Sequence, residues 1–314
     1  MKRILVTPRS LTRAPDPAVE VLRDDGYELV YAPAGQTPDE DTLLRLLPGC
    51  VGWIAGVEPV SPRVLEAAAP GLRAISRNGT GSDNLPLDTA DRLGIRVLRA
   101  GGANARGVAE LALTLLLASL RHVPEQDRAL RAGNWHRRQG LEIAGRTLGL
   151  VGCGAVGRLV ARFALAMDAR VRVFDPLPDP NFRPDGDFGF VSLPELLHGS
   201  EMISLHCPMP ADGRPVLDAG AIAALRDKAQ LVNTARAGLV DEQALLAALE
   251  RERVLTYATD VFDAEPPPSS ALLTHPRVIN TPHVGGFTAE SVRRATVAAV
   301  DNLRAALDGE IEGR

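Results

Sequence analysis

The sequence predicts an α/β fold of two doubly wound parallel-sheet domains, one inserted in the other. Three observations carry this. Short β-branched apolar runs alternate with segments of helical period along almost the whole chain, the arrangement that gives parallel sheets covered by helices. The 314 residues, 45% apolar and 24% charged, suffice for about two ordinary globular cores. A glycine-rich turn, Gly152-Cys153-Gly154-Ala155-Val156-Gly157, separates a strand pattern from a helix pattern near mid-chain.

From the start, strand patterns at 3–6, 28–31, 51–54 and 72–76 alternate with helix patterns at 18–25, 39–47 and 62–68. A last strand of this unit fits 95–98. Gly101-Gly102 then breaks the chain, and apolar periodicity predicts a long helix over about 104–120 and another over 124–132. A strand at 147–151 leads into the glycine turn, a helix marked by Val160, Phe163, Ala164 and Met167 leaves it, and a strand follows at 170–174. The segment 176–189, rich in Pro, Asp and Gly, reads as loop. Strands resume at 201–206, 230–233, 255–259 and 278–280, and a final helix covers 288–307. Crossings at Gly101-Gly102 and Gly285-Gly286 would return that helix to the first domain, dividing the chain into 1–98, 99–285 and 286–314. A cleft between domains is where a ligand would sit.

Each glycine of the turn has a mechanical task. Gly152 permits the turn, Gly154 lets backbone approach a pyrophosphate with no Cβ in the way, and Gly157 lets the helix pack on the strand. The helix that opens at Ala155 and Val156 offers free N–H groups and a positive dipole end. Such a turn alone can also be a packing solution. The strand before it, the helix after it and a second strand ending on Asp175, 18 residues past Gly157, favour a dinucleotide-binding Rossmann unit. Asp175 would accept from the ribose hydroxyls and repel a 2′-phosphate, and no base follows it at Pro176, so the expected cofactor is NAD.

Net charge of −4, with no basic stripe, gives no support to nucleic-acid binding. No apolar run approaches a membrane span, and the basic start MKRILVTPRS reads as a strand, not a signal peptide. Cys50, Cys153 and Cys207 are widely spaced and form no C-x-x-C, which fits a reducing cytoplasm and no structural metal. Residues 311–314 match a protease recognition sequence of the kind an expression vector leaves behind, and are set aside.

Three groups stand just past strand patterns in the second half: Arg236 in Asn233-Thr234-Ala235-Arg236, Glu265 before three prolines, and His283 in Thr281-Pro282-His283-Val284-Gly285-Gly286. Carboxyl ends of strands are where open α/β sheets bind ligands. A guanidinium can hold a carboxylate, a histidine can move a proton near neutral pH, and a carboxylate can orient that histidine. Each alone reads equally as a loop charge; their joint placement after a dinucleotide unit points to one reaction.

These segments, with Arg77-Asn78-Gly79-Thr80-Gly81-Ser82-Asp83-Asn84, Asn104-Ala105-Arg106-Gly107-Val108-Ala109-Glu110 and Leu205-His206-Cys207-Pro208, resemble the D-isomer-specific 2-hydroxyacid dehydrogenase family over about 51–307. The resemblance implies an NAD-binding Rossmann domain inserted in a flavodoxin-like substrate domain. It also implies homodimers, in which the long helices after Gly102 embrace the partner. Arg236 would clamp the carboxylate and oxo group of a 2-hydroxyacid or 2-oxoacid, His283 would protonate the carbonyl oxygen, and Glu265 would hold His283 partly protonated, while hydride passes between nicotinamide C4 and substrate C2. Asp260 would accept from the nicotinamide carboxamide. Val108, His206, Cys207, Pro208, Thr234, Ala235 and Gly286 would complete the cofactor groove, and Val57, Glu58, Asn78, Gly79 and Thr80 would meet the substrate.

The chain departs from phosphoglycerate dehydrogenases at 55–60, where it carries no base and one acid, Glu58. A phosphate beside Glu58 would be repelled, unless Arg77 or Arg106 supplied the missing charge; a loop acid facing solvent is the other reading of Glu58. Gly107 stands where relatives have a small hydroxyl residue. No regulatory domain is expected after Leu307. Other readings on the same fold are an NAD(H)-sensing corepressor-type binding protein, phosphoglycerate dehydrogenase proper, and an enzyme of formate or phosphite.

Overall fold

The computed structural model describes residues 1–309, which fold as two compact units. The first comprises Met1–Asn104 and, of the described residues, 289–309, the second Ala105–Thr288. The breaks fall at the starts of the helices Ala105–Leu120 and Ala289–Asp308, a few residues beyond the glycine pairs. The reason is local bonding. Ala100 N–H donates to Gly79 O (3.0 Å), Thr80 Oγ1 to Asn104 Oδ1 (2.8 Å) and Arg294 Nε to Ala103 O (2.8 Å), so residues 100–104 stay with the first sheet.

The first unit holds β1 (Arg3–Val6), β2 (Glu28–Tyr31), β3 (Cys50–Ala55), β4 (Ala74–Arg77) and β5 (Arg96–Arg99), all parallel, in the order β2-β1-β3-β4-β5. Its helices start on strong caps: Asp16 accepts from Ala18 N–H ahead of Pro17, and Asp39 from Thr42 N–H. One face of the sheet packs Leu5, Trp53 and Ile75 against Val64 and Leu65. The other packs Ile4, Val6 and Ile54 against Ala299, Val300 and Leu303 of the returning helix. Gly52 lets that helix pack close, since a Cβ would lie 3.1 Å from Leu303 Cδ1 and the leucine would have to give way.

The second unit holds β6 (Thr147–Val151), β7 (Arg170–Phe174), β8 (Phe188–Phe190), β9 (Met202–Leu205), β10 (Ala229–Asn233), β11 (Val254–Thr259) and β12 (Val278–Asn280), again all parallel. Their order is β12-β11-β10-β9-β6-β7-β8, which reverses direction between β6 and β9. Strand β8 corrects the reading of 176–189 as loop throughout. Its pairing with β7 comes with an edge-to-face stack of Phe182, Phe188 and Phe190 (centroids 5.4 and 5.3 Å apart), contacts that a Pro- and Gly-rich segment does not advertise. The helix Ala105–Leu120 buries Ala109, Ala112, Leu115, Leu116 and Leu120 against β10, β11 and the helix Ala155–Leu165. Among the described residues no single helix is long and apolar enough to cross a membrane. Residues 311–314, set aside above, lie outside the described residues.

Candidate active site

The glycine turn sits at the sheet's reversal point. Gly152 has φ +102°, and a Cβ on it would stand 2.7 Å from the His206 carbonyl carbon and oxygen, so the ends of β6 and β9 meet only because it is glycine. Gly157 is pressed onto the turn: a Cβ there would lie 2.2 Å from Gly152 O. Gly154 differs, since a Cβ on it would meet nothing within 4 Å. Gly154 is also the N-cap of the helix Ala155–Leu165 and gives it no side-chain cap, so no cap side chain covers the N–H groups of Ala155 and Val156. Asp175 stands across from the turn. Its Oδ2 accepts from Cys153 N–H (2.7 Å) and its Oδ1 from Leu177 N–H (2.9 Å), which leaves each oxygen a lone pair for a further donor.

The chain just past β9 and β10 supplies unsatisfied polar groups. Both ring nitrogens of His206 and Thr234 Oγ1 are buried with no hydrogen-bond partner, although His206 as a residue is partly exposed. Burial pushes the His206 pKa down to about 4, so the ring is neutral at physiological pH. Burial likewise raises the Cys207 thiol and pushes that of Cys153 up to about 11, keeping both protonated. Pro208 continues the same strand end.

Arg236 is fixed by the buried Asn233. Asn233 Nδ2 donates to Arg236 O (2.8 Å), and its Oδ1 accepts from Ala235 N–H (3.1 Å), shaping the turn after β10. The Arg236 guanidinium donates through Nη1 to Ala235 O (2.8 Å). Glu265 and His283, 18 residues apart in sequence, come together: Nδ1 of His283 lies 2.8 Å from both Glu265 oxygens. A carboxylate only accepts, so Nδ1 carries the proton and Nε2 is left for other chemistry. His283 adopts a left-handed φ of +52°, strain that the surrounding turn sustains.

That turn is held by Asp260, 2% exposed. Its Oδ1 accepts from Thr281 Oγ1 (2.6 Å) and Val284 N–H (2.8 Å), and its Oδ2 from Gly285 N–H (2.8 Å). The resemblance implied only a cofactor contact for Asp260; the structure adds three internal bonds that anchor the loop carrying His283. Val108 flanks the same loop, its Cγ2 3.4 Å from where a Cβ of Gly285 would stand, next to Gly286.

A family profile described as "D-isomer specific 2-hydroxyacid dehydrogenase, NAD binding domain" matches residues 113–285, which takes in the glycine turn, Asp175, Arg236, Glu265 and His283. The chain belongs to this family. The dehydrogenase is 36% identical to a hydroxypyruvate reductase of Thermotoga maritima, over 84% of this chain and 87% of that one. It is 37% identical to a D-3-phosphoglycerate dehydrogenase of Mycobacterium bovis over 87% of this chain, and spans about half the length of that relative, 52%. A solved structure from Thermus thermophilus superposes with a TM-score of 0.86 at 37% identity, covering 98% of this chain and 97% of that one. The dehydrogenase is an NAD-binding oxidoreductase. Its own residues fit the cofactor: open space before Gly154, unfilled lone pairs on Asp175 and orphaned polar atoms on His206 and Thr234.

The remaining sequence candidates, Val57, Glu58, Asn78, Gly79 and Thr80, lie in the first unit at the carboxyl edge of its sheet. Val57 is exposed. Gly79 has φ +151°, and Arg77 Nη1, which donates to Asn78 O (2.7 Å), would be 2.8 Å from a Cβ on it. Glu58 requires correction. It is not a solvated loop acid: it is buried, and its Oε1 accepts from Thr7 Oγ1 and Gly56 N–H. Arg106 pairs with Glu110 on an exposed helix face and lies over Phe163. Sequence reasoning missed Thr7, Asn84 and Asn233. Asn233 stood in a motif already quoted, but nothing in that motif shows that its amide bonds inward.

Proposed function

We propose that the dehydrogenase interconverts a small unphosphorylated D-2-hydroxyacid and its 2-oxoacid, with Arg236, Glu265 and His283 as its working side chains. The observation that carries this is the His283–Glu265 pair, with Nδ1 2.8 Å from each carboxylate oxygen, an arrangement that would keep a proton on Nδ1 and leave Nε2 for a substrate oxygen. NADH, when bound, supplies the hydride that reduces C2 of the oxoacid. Arg236 binds the substrate carboxylate through paired N–H donors, which sets the carbonyl carbon in a fixed place. In the reductive direction the working form of His283 carries a proton on both ring nitrogens; it gives the Nε2 proton to the carbonyl oxygen as the C2–H bond forms, and the Nδ1–H tautomer left behind takes a proton at Nε2 in the oxidative direction. Glu265 holds the ring in the orientation and tautomer this requires.

The working form is a homodimer in the cytoplasm. The helix Val123–Arg131 buries none of its residues, and Val123, Leu130 and Trp135 (82% exposed) are apolar side chains left to solvent, which a second copy would cover. All three cysteines are free thiols, as a reducing compartment keeps them. Initial rates of NADH oxidation with a panel of 2-oxoacids test the activity; a protein that binds NADH and turns over none of them is a sensor, not an enzyme.

A further inference from the structure

The strands that lead to Arg236, Glu265 and His283 end side by side, since Asn233, Thr259 and Asn280 are partners in the parallel register of β10, β11 and β12. Polar groups at and just past those ends form one continuous set of hydrogen bonds. At the end of β10, Asn233 Nδ2 donates to Arg236 O (2.8 Å) and to Tyr257 Oη (3.3 Å), while its Oδ1 accepts from Ala235 N–H (3.1 Å). A single amide thus grips the turn before and after Arg236. The backbone of the same residue carries the set across the sheet: Asn233 O accepts from Asp260 N–H (3.0 Å) and from Thr259 Oγ1 (3.3 Å). Thr259 O accepts from Thr281 N–H (3.0 Å), and Thr281 Oγ1 donates to Asp260 Oδ1 (2.6 Å). Thr281 O accepts from His283 N–H (3.0 Å), and Glu265, bonded to the His283 ring, also accepts from Phe262 N–H (3.3 Å). Asn233, Thr259 and Asp260 are each at most 3% exposed, so little water competes for these bonds.

We propose that these bonds form a bracket that sets the spacing between the Arg236 guanidinium and the His283 ring, with Asn233 and Thr281 as its positioning residues. This rests on the reading of Arg236 as carboxylate clamp and His283 as proton donor, and deepens it. A 2-oxoacid is held by its carboxylate while the oxygen on the next carbon receives the proton, so the two side chains must keep one separation to within about 0.5 Å. Neither turn supplies that accuracy alone, for Arg236 follows a turn and His283 sits at a left-handed φ of +52°. Asn233 acts through the backbone of Arg236, and Thr281 through that of His283.

A double-variant cycle and hydrogen exchange test it. Asn233→Ser keeps an oxygen that can accept from Ala235 N–H and loses the donor to Arg236 O; Thr281→Val keeps the shape and loses the hydroxyl. With NADH and whichever of glyoxylate, hydroxypyruvate and pyruvate wild type reduces fastest, Asn233→Ser is expected to raise KM for the acid about 10-fold and Thr281→Val to lower kcat about 10-fold, part of the ~10²-fold that a 1 Å misplacement costs. NADH affinity stays close to that of wild type in both, and Thr281→Ser, which keeps the hydroxyl, keeps kcat. Because both changes act on one bracket, the double variant should lose less in kcat/KM than the product of the single losses, by about threefold or more. Independently of turnover, Asn233→Ser should quicken hydrogen exchange at the Val284 and Gly285 amides while those of β6 and β7 hold. Should Asn233→Ser fail to fold, Thr281→Val carries the same test in reverse, read as faster exchange at the Ala235 amide. Single losses that simply multiply, or far-end amides that exchange as in wild type, overturn the bracket. Should wild type reduce no 2-oxoacid, the proposed activity fails, and exchange alone decides the bracket.

Discussion

Nδ1 of His283 lies 2.8 Å from each oxygen of Glu265, a contact between a strained turn after β12 and a loop after β11. It makes Glu265 an acceptor that permits one tautomer only. Replacing it by Gln offers an amide that can donate as readily as accept, so the ring loses its fixed proton. Glu265→Gln should lower kcat by roughly 10²-fold or more, the range for disabling an acid–base group. Steady-state kinetics across pH checks this; an unchanged profile removes Glu265 from the reaction.

His283→Ala deletes the proton donor and leaves the glycine turn untouched. We expect kcat to fall by roughly 10²–10⁴ with NADH affinity nearly intact. Fluorescence titration with NADH, run beside the kinetics, separates the two effects.

Asp260 accepts three hydrogen bonds from the loop that carries His283. Asp260→Asn turns one acceptor into a donor and leaves a buried N–H facing it, at a cost of about 1–3 kcal/mol. The Tm should drop, and hydrogen exchange at Val284 and Gly285 should quicken more than elsewhere in the second unit. Uniform quickening would place the damage in the fold as a whole.

The glycines of the turn should separate by experiment. Gly157→Ala sets a methyl 2.2 Å from Gly152 O and should lower the Tm and abolish cofactor binding together. Gly154→Ala meets no protein atom, at a φ of −74° that alanine accepts, so the Tm should hold while NADH binding weakens. Calorimetry with and without NADH distinguishes them.

His206 couples stability to pH. Its folded pKa is about 4, against 6.5 for an ordinary histidine, because burial disfavours the charged ring. The unfolded chain therefore binds a proton between those values that the fold refuses, so this contribution is complete above pH 6.5 and is lost as pH falls toward 4. Its size is of order 3 kcal/mol. Urea midpoints from pH 7 to 4.5 should fall less steeply for His206→Asn than for wild type.

Much of the architecture was legible because strands and helices announce themselves in apolar period, and Asp175 because its distance from Gly157 is set by one helix and one strand. Strand β8 was not, since three residues pairing at a sheet edge carry no period. The burial of Glu58 was not legible for a related reason. Its partners are Gly56, two residues away, and Thr7, which only the fold brings near, and no local pattern reports burial decided by a neighbouring strand. The same holds for Asn233, whose amide shapes the turn of Arg236 from within, and for Asp260, whose internal bonds reach more than 20 residues along the chain. Residue types that suit catalysis are visible in sequence; the groups that hold them in place are visible only once strands lie side by side.

The most direct test is the initial rate of NADH oxidation with glyoxylate, hydroxypyruvate and pyruvate, measured for wild type and His283→Ala in parallel. Rapid reduction of at least one of these acids by wild type, falling by roughly 10²-fold or more in the variant, is the predicted result. Wild type that binds NADH and reduces none of them, or a variant as fast as wild type, would contradict the account.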